Sequence, residues 1–353
     1  EQFKNTFVAE NQNISTYQID SKLKHFNIFQ ENTLRYNFSK KIDVTANLNF
    51  QQSFFKYNDF STNIFILNPS LFLNIKKTGF GNFSLSYSEN NTLPEVNQLT
   101  SNFQLTDYRN FSQGTNYNKP LKNQTTTFNY YLYNDEKRFS INTSFFYVNS
   151  KSIFNTSSNL TSDFNFNSYI QTKGSNSYNF NFSFVNYVRK LKLASKIETN
   201  NSWITSPINV NSTEFLNAKS YSNSIKYSGT TYFKSKINFD FGFSYNYFQS
   251  NFQGIKTNNT TKDAFLNINY KISNTILAES NNSFYYVNNQ SYYFNNIILS
   301  YTPEESKFSY RLMLNNLTNE NQYNYISINN YSYYQSVIQL VPRYVLGTIK
   351  YRF

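Results

Sequence analysis

The sequence predicts an all-β fold, an antiparallel transmembrane β-barrel of about sixteen strands. Three observations carry this reading. The composition is 20% aromatic and only 15% charged, with 8 Gly and 6 Pro in 353 residues, and aromatic and β-branched side chains suit pleated, half-buried surfaces. Apolar residues recur with period two, in some runs over the roughly 9–11 residues that a tilted strand needs to cross a bilayer. The connections alternate between short and long, as they do where one side of a membrane carries tight turns and the other extended loops.

The alternation is explicit along the chain. Ile42, Val44, Ala46, Leu48 and Phe50 are separated by Asp43, Thr45, Asn47 and Asn49. Tyr178, Phe180, Phe182 and Phe184 are separated by Asn179, Asn181 and Ser183. In the longest such run, Ile237, Phe239, Phe241, Phe243, Tyr245 and Tyr247 oppose Asn238, Asp240, Gly242, Ser244 and Asn246. Phe308, Tyr310, Leu312 and Leu314 follow the same rule, as do Val345, Gly347, Ile349, Tyr351 and Phe353. Sandwich strands also alternate, but they usually run about 5–6 residues. Aromatic clusters such as Phe145 to Tyr147, Tyr285 with Tyr286, and Tyr292 with Tyr293 suit the interface girdles of a membrane barrel.

Counting back from Phe353 assigns the connections. One side takes turns at Ser39 to Lys41, Lys76 to Gly79, Asn134 to Lys137, Arg189 and Lys190, Ser228 to Lys236, Ser273 and Asn274, and Pro303 to Glu305. All but that at Ser228 to Lys236 are tight. The other side takes loops at Glu89 to Gln124, Phe154 to Gly174, Trp203 to Glu214, Gln249 to Lys262 and Thr318 to Gln335, with short links near Tyr57 and Asn288.

Several classes are excluded or weakened. Mean hydropathy is −0.61, and no stretch has the 18 or so apolar residues of a spanning helix. Barrel strands escape that test because their two faces average out. Cysteine is absent, which rules out a disulfide scaffold and thiolate metal sites. The net charge of +12 is spread over turns and single strand positions, with no basic helix or phosphate loop, so nucleic-acid binding is not expected. Solvated turns, some beside anionic lipid heads, account for the charge. Asn-x-Ser/Thr triplets, as at Asn37, Asn82, Asn142 and Asn181, follow from an Asn-, Ser- and Thr-rich composition rather than from glycosylation. The first residue is Glu1, which fits either removal of a signal peptide or a piece of a longer chain.

Four local features resemble TonB-dependent receptor barrels of the Bacteroidetes type. Leu93-Pro94-Glu95-Val96-Asn97-Gln98-Leu99 resembles that family's Pro-x-x-x-Gln-Leu stretch, and Gly114 to Leu121 resembles its Gly-Asn-Pro-x-Leu element. Asn315-Asn316-Leu317-Thr318-Asn319 resembles the end of the family's penultimate strand, and Pro342-Arg343-Tyr344 resembles the entry to its final strand. The end, Ile349 to Phe353, is similar to the terminal signal read by the barrel-assembly machinery, with Tyr351 and Phe353 as its aromatic positions. The resemblance covers Leu93 to Phe353. It implies a twenty-two-stranded barrel, of which residues 1–353 would be a single C-terminal barrel domain without plug and early strands. It further implies coupling to the TonB system through that plug, a scarce small solute as ligand, a surface lipoprotein as partner, and outer-membrane lipid around the wall. A passive porin-like pore and a surface binding or adhesion barrel stand as alternatives.

No enzyme chemistry, metal or cofactor is expected. His25 is the one histidine and lies in a strand pattern, Lys24-His25-Phe26, with no marked partner. Glu304 and Glu305 fall in a turn, where solvation explains them. Asp240 lies on the polar face of an apolar strand, where a hydrogen-bonded structural role outweighs a substrate-path role. Trp203 suits a girdle anchor at the start of a loop. No individual ligand-binding residue is legible.

Overall fold

The computed structural model describes residues 2–6, 18–57, 60–95, 98, 103–115, 119–212, 214–287, 289–328 and 333–353. These form twenty-one strands, nineteen of which belong to one sheet. In order they are β1 (Gln2–Thr6), β2 (Gln18–Asn37), β3 (Ile42–Tyr57), β4 (Phe60–Thr78), β5 (Gly81–Thr92), β6 (Gln104–Asp107), β7 (Asn110–Gln113) and β8 (Leu121–Asn134). They continue as β9 (Phe139–Leu160), β10 (Asn165–Lys173), β11 (Asn176–Val188), β12 (Leu193–Val210), β13 (Leu216–Thr231), β14 (Ile237–Phe252), β15 (Ile255–Lys271) and β16 (Ile276–Val287). The last are β17 (Gln290–Tyr301), β18 (Phe308–Asn315), β19 (Gln322–Ile328), β20 (Tyr333–Gln339) and β21 (Tyr344–Tyr351). The surplus over sixteen is β6, β7, β10, β19 and β20, of which the first four lie in segments expected to be loops and β20 begins in one.

The chain divides into two compact units. One comprises 1–130, 144–179 and 203–219, the other 131–143, 180–202 and 220–353, and the chain passes between them within β8, β9, β11, β12 and β13.

In the first unit, β2 to β5 pair as successive antiparallel neighbours. The register places Leu34, Ala46 and Leu71 in one cross-strand row and Tyr36, Val44 and Leu73 in the next. This face is exposed at Leu34, Leu48, Phe65 and Leu71. The opposite face carries polar pairs beside the buried Ile64 and Ile66. Thr33 donates to Asn47 (2.9 Å), Asn47 to Ser70 (3.0 Å), and Ser53, fully buried, to Asn27 (2.7 Å).

The second unit repeats the division over β14 to β18 and β21. Phe243, Leu266, Phe284, Ile297, Leu312 and Ile349 share an apolar face, each 38–68% exposed. On the other face Ser244 donates to Asp263 (2.6 Å), Asn269 to Asp240 (3.1 Å), and Ser224 to Asn246 (2.7 Å). Asp240 thus holds the hydrogen-bonded place expected of it. An exposed apolar face running across six strands is not tolerated in water. Strands of this length carrying such a face are those of an outer-membrane β-barrel, the fold class expected from sequence.

Two glycines fix close approaches. A Cβ on Gly229 would meet the tip of the Phe241 ring at 2.5 Å. One on Gly242 would meet the Phe265 ring at 2.4 Å and the backbone oxygen of Tyr227 at 2.9 Å. Each aromatic ring covers the bare backbone of a glycine on the adjoining strand.

The apolar face is interrupted. Ser280, Asn282 and Asn295 share it with Leu266, Ile297 and Tyr293. They satisfy one another: Asn282 donates to the Leu266 carbonyl (2.9 Å), and its own Oδ1 accepts from Tyr293 and Asn295 (both 2.7 Å).

The turns on the short side fall where expected, and the one expected to be long is tight, because β13 continues to Thr231 and leaves only 232–236. The long side differs more. Phe154 to Gly174, Trp203 to Glu214 and Gln249 to Lys262 are mostly strand; turns at 161–164 and 253–254 close the first and third, and β12 of the second ends at Val210. Gln253 and Gly254 both adopt positive φ (54° and 80°), the geometry of a two-residue hairpin turn. Trp203 therefore lies within β12, with its side chain exposed, rather than at the start of a loop. Thr318 to Gln335 likewise contains β19 and the start of β20. Ladder pairing depends on backbone groups and continues where the side-chain period lapses into Asn, Ser and Thr. The short links near Tyr57 and Asn288 include positions outside the described residues.

Two outcomes follow. Phe243→Arg should cost about 2–4 kcal/mol in bilayer unfolding titrations, and Ser244→Arg, beside Asp263, much less. Equal costs would count against a lipid-facing Phe243. Gly242→Ala should destabilise by about 1–3 kcal/mol because a backbone oxygen must move, whereas Gly229→Ala displaces only a ring tip and should cost less.

Candidate functional site: the long-connection ends

In the first unit the candidate site begins at a proline. Pro69 has no N–H and stands opposite Leu48 in β4, and the β4–β5 ladder ends at Ser70 paired with Ser88. Beyond it the Asn68 side chain substitutes for the backbone. Its Oδ1 accepts the Asn91 N–H (2.6 Å), while the Asn91 amide donates to the Leu67 carbonyl (2.7 Å). At this end of the ladder the Glu89 carboxylate accepts from Lys122 (2.5 Å) and Gln124 (2.8 Å) of β8.

The long connection from Glu89 to Gln124 is braced by the motif residues singled out in sequence. The Gln98 Oε1 accepts the Glu95 N–H (2.9 Å), and the Gln98 carbonyl accepts the Thr115 N–H (2.8 Å). The Pro-x-x-x-Gln stretch and the Gly114-to-Leu121 element therefore meet. Val96, Asn97, Leu99 and residues 116–118 of these motifs lie outside the described residues.

Between the braces, β6 and β7 form a hairpin over Tyr108 and Arg109. Asp107 makes the turn: its Oδ1 accepts the N–H groups of Arg109 (3.0 Å) and Asn110 (3.1 Å), and its Oδ2 accepts the Asn110 side-chain amide (2.6 Å). The backbone donor of Arg109, followed by the Asn110 side chain, holds the Asp107 carboxyl below its ordinary range. β7 then adds in parallel to β10, Asn110 to Asn165 through Gln113 to Ser168. Asn165 donates its backbone N–H to the Arg109 carbonyl (2.8 Å) and its side-chain amide to Asn110 (2.9 Å). Phe111 stacks on Phe166 at 5.1 Å and 14°, with Phe103 and Phe164 edge-on at 5.7 Å. What this rigid base presents to solvent is Leu105, Arg109 and Tyr108, the last 79% exposed, with the Arg109 guanidinium 5.3 Å from the Tyr108 ring centroid.

The second unit has a counterpart. Asn316, at φ 51°, accepts the Glu320 N–H (2.9 Å) and donates to the carbonyls of Glu320 (2.8 Å) and Val341 (2.9 Å). Asn319 Oδ1 accepts the Arg343 N–H (3.1 Å). The Asn-Leu-Thr-Asn and Pro-Arg motifs are thus one clasp that closes the base of the connection bearing β19 and β20. Tyr323 of β19 packs on Tyr292 (5.1 Å) and Tyr285 (6.4 Å), and buried Tyr292 donates to Gln290 (2.6 Å).

Tyr351 and Phe353, the expected assembly residues, contact each other edge to face at 5.1 Å. Tyr351 also packs on Phe308 at 4.9 Å. His25 pairs in register with Phe55. No group of three or more metal-ligating side chains occurs among the described residues.

No family model and no curated protein matches this chain. Among solved structures it is similar to the copper transporter OprC, at 8% identity and TM-score 0.36 over 85% of this chain and 53% of that one. It is also similar to the outer membrane transporter YddB from Escherichia coli, at 7% identity and TM-score 0.33 over 87% and 56%. A third is the siderophore receptor PiuA from Acinetobacter baumannii, at 12% identity and TM-score 0.31 over 93% and 64%. The chain thus spans about half the length of OprC and of YddB.

Proposed function

We propose that this chain is the wall and loop set of an outer-membrane transport barrel of the TonB-dependent receptor type, binding a scarce solute at its long connections. The observation that supports it best is the β6–β7 hairpin. A parallel strand pairing, a phenylalanine stack and an aspartate-made turn hold it rigid, yet its tip offers Tyr108, Arg109 and Leu105 to solvent. Binding residues concentrate on loops held by a rigid scaffold, and an aromatic–guanidinium pair offers a planar, amphipathic contact. The role is uptake without catalysis. A plug-gated passage driven through the TonB system is the finer part of the proposal. Tyr351 and Phe353 are proposed as the residues offered to the barrel-assembly machinery.

Deleting 102–118 should leave heat-modifiable gel migration intact and reduce solute uptake, and undiminished uptake would sink the site. Asp107→Ala should act in the same direction and Asp107→Asn far less, because Asn can still accept in the turn. The Asp107 carboxyl is depressed when folded, so its contribution is present above its unfolded value of 3.8 and is lost as pH falls below that value. Loop proteolysis should therefore rise on strong acidification, and less so in Asp107→Asn. Uptake that persists when the proton-motive force is collapsed would favour a passive pore. Replacing Tyr351 and Phe353 by Ser should impair membrane insertion more than Tyr108→Ser does, read by membrane fractionation.

A further inference from the structure

We infer that the short-turn rim of the second unit is a docking surface for the head groups of anionic phospholipids. The inference rests on the membrane reading above. Segments 135–138, 189–192, 232–236, 271–275, 302–307 and 350–353 hold eleven Lys and Arg against four Asp and Glu. At the opposite ends of β14 to β18 and β21, segments 249–259, 286–292 and 314–344 hold only Lys256, Arg343 and Glu320 as charged residues. The charge of this unit is therefore strongly one-sided.

The rim is continuous. Arg189 donates through its guanidinium to the Glu136 carbonyl (3.3 Å), and the Tyr232 N–H donates to the Lys192 carbonyl (2.8 Å). Lys236 Nζ reaches the Ile272 carbonyl (3.2 Å), the Thr302 N–H donates to Thr275 (2.8 Å), and the Arg352 N–H donates to Lys307 (2.8 Å). Each turn is thereby held beside the next. None of the four ion pairs among the described residues uses a cation of this rim.

Apolar groups stand between the charges. Leu191 and Tyr232 are 59% and 57% exposed, and Tyr187 packs on Tyr232 at 6.2 Å under the Arg138 guanidinium, 5.3 Å from the Tyr187 centroid. Lys307 similarly overlies Tyr351 at 5.7 Å. The plane where acyl chains meet head groups requires that mixture. The phosphates of an anionic leaflet supply the complementary charge.

The test folds the full chain into nanodiscs of phosphatidylcholine mixed with phosphatidylglycerol and counts retained lipids by mass spectrometry. Wild type should retain phosphatidylglycerol several-fold above its bulk fraction. Enrichment should fall as salt rises from about 0.1 to 1 M, where the screening length shrinks from about 10 to 3 Å. The combined variant Arg189→Gln, Lys190→Gln, Lys192→Gln, Lys234→Gln and Lys236→Gln should approach the bulk fraction, while Lys256→Gln with Arg343→Gln should match wild type. Wild type that inserts but shows no enrichment, or salt-insensitive enrichment, overturns the docking surface and leaves the barrel standing. Wild type that cannot be inserted overturns both. The wild-type salt series keeps the inference falsifiable if the combined variant misfolds.

Discussion

Within hydrocarbon, every polar group must find its partner in the protein, because each one left open costs several kcal/mol. The rest of this structure depends on that constraint. It explains why a chain with mean hydropathy of −0.61 can present an apolar face at all: the ladders satisfy the backbone, and the polar side chains are sent to the opposite face. It also explains the interruption of that face. Asn282 and Asn295 would each be costly against lipid if alone. Together with Ser280, Tyr293 and a backbone carbonyl they form a closed set. The Asn223–Asn201 bond (2.6 Å), joined by the Tyr221 hydroxyl, repeats the device on β12 and β13. Asparagine abundance becomes tolerable in a membrane wall when amides are placed opposite one another and next to a tyrosine.

The same dependence on backbone pairing separates what the sequence makes legible from what it does not. The run Ile237 to Tyr247 announces β14 because one face must meet lipid, and lipid enforces period two. Beyond Tyr247 that enforcement ends. Asn251, Asn258 and Asn259 carry no period, yet the β14–β15 ladder runs unbroken from Ile237 opposite Tyr270 to Phe252 opposite Ile255. Sequence reasoning therefore finds the strand and misplaces its end, and it mistakes tall hairpins for loops. The Gln253-Gly254 step was the available signal, since a glycine at a positive-φ turn position closes hairpins. The sixteen strands expected are recovered once the five that lie in the long connections are set aside. Those five were hidden for the same reason.

The candidate site was legible only in part. The Glu89 to Gln124 connection stands out by length, and the motifs within it mark its braces, Gln98 with Thr115. That Asn319 would meet Arg343 follows from neither spacing nor composition, since more than twenty residues intervene. Nor could the parallel docking of β7 on β10 be read, because Asn110 and Asn165 look like any other asparagines in a chain full of them. Resemblance located Gln98, Thr115, Asn319 and Arg343 without saying what they do. In the structure they tie together the bases of the connections.

Rigidity at the base is what gives an exposed tip its value. A long irregular loop bearing Tyr108 and Arg109 would lose the entropy of ordering many residues at the moment of binding. Here the described part of the connection is already tied down by strand pairing and turn hydrogen bonds. Pro69 ends the β4–β5 ladder, Asn68 seals the gap, and the diverging chain is pinned by Gln98 and then by strand pairing to β10. A single missing N–H thus begins the departure of the longest connection from the wall, and side-chain hydrogen bonds convert that departure into a fixed platform. The cost of order falls on folding, where long paired strands offset it, and Leu105, Tyr108 and Arg109 remain exposed near the tip.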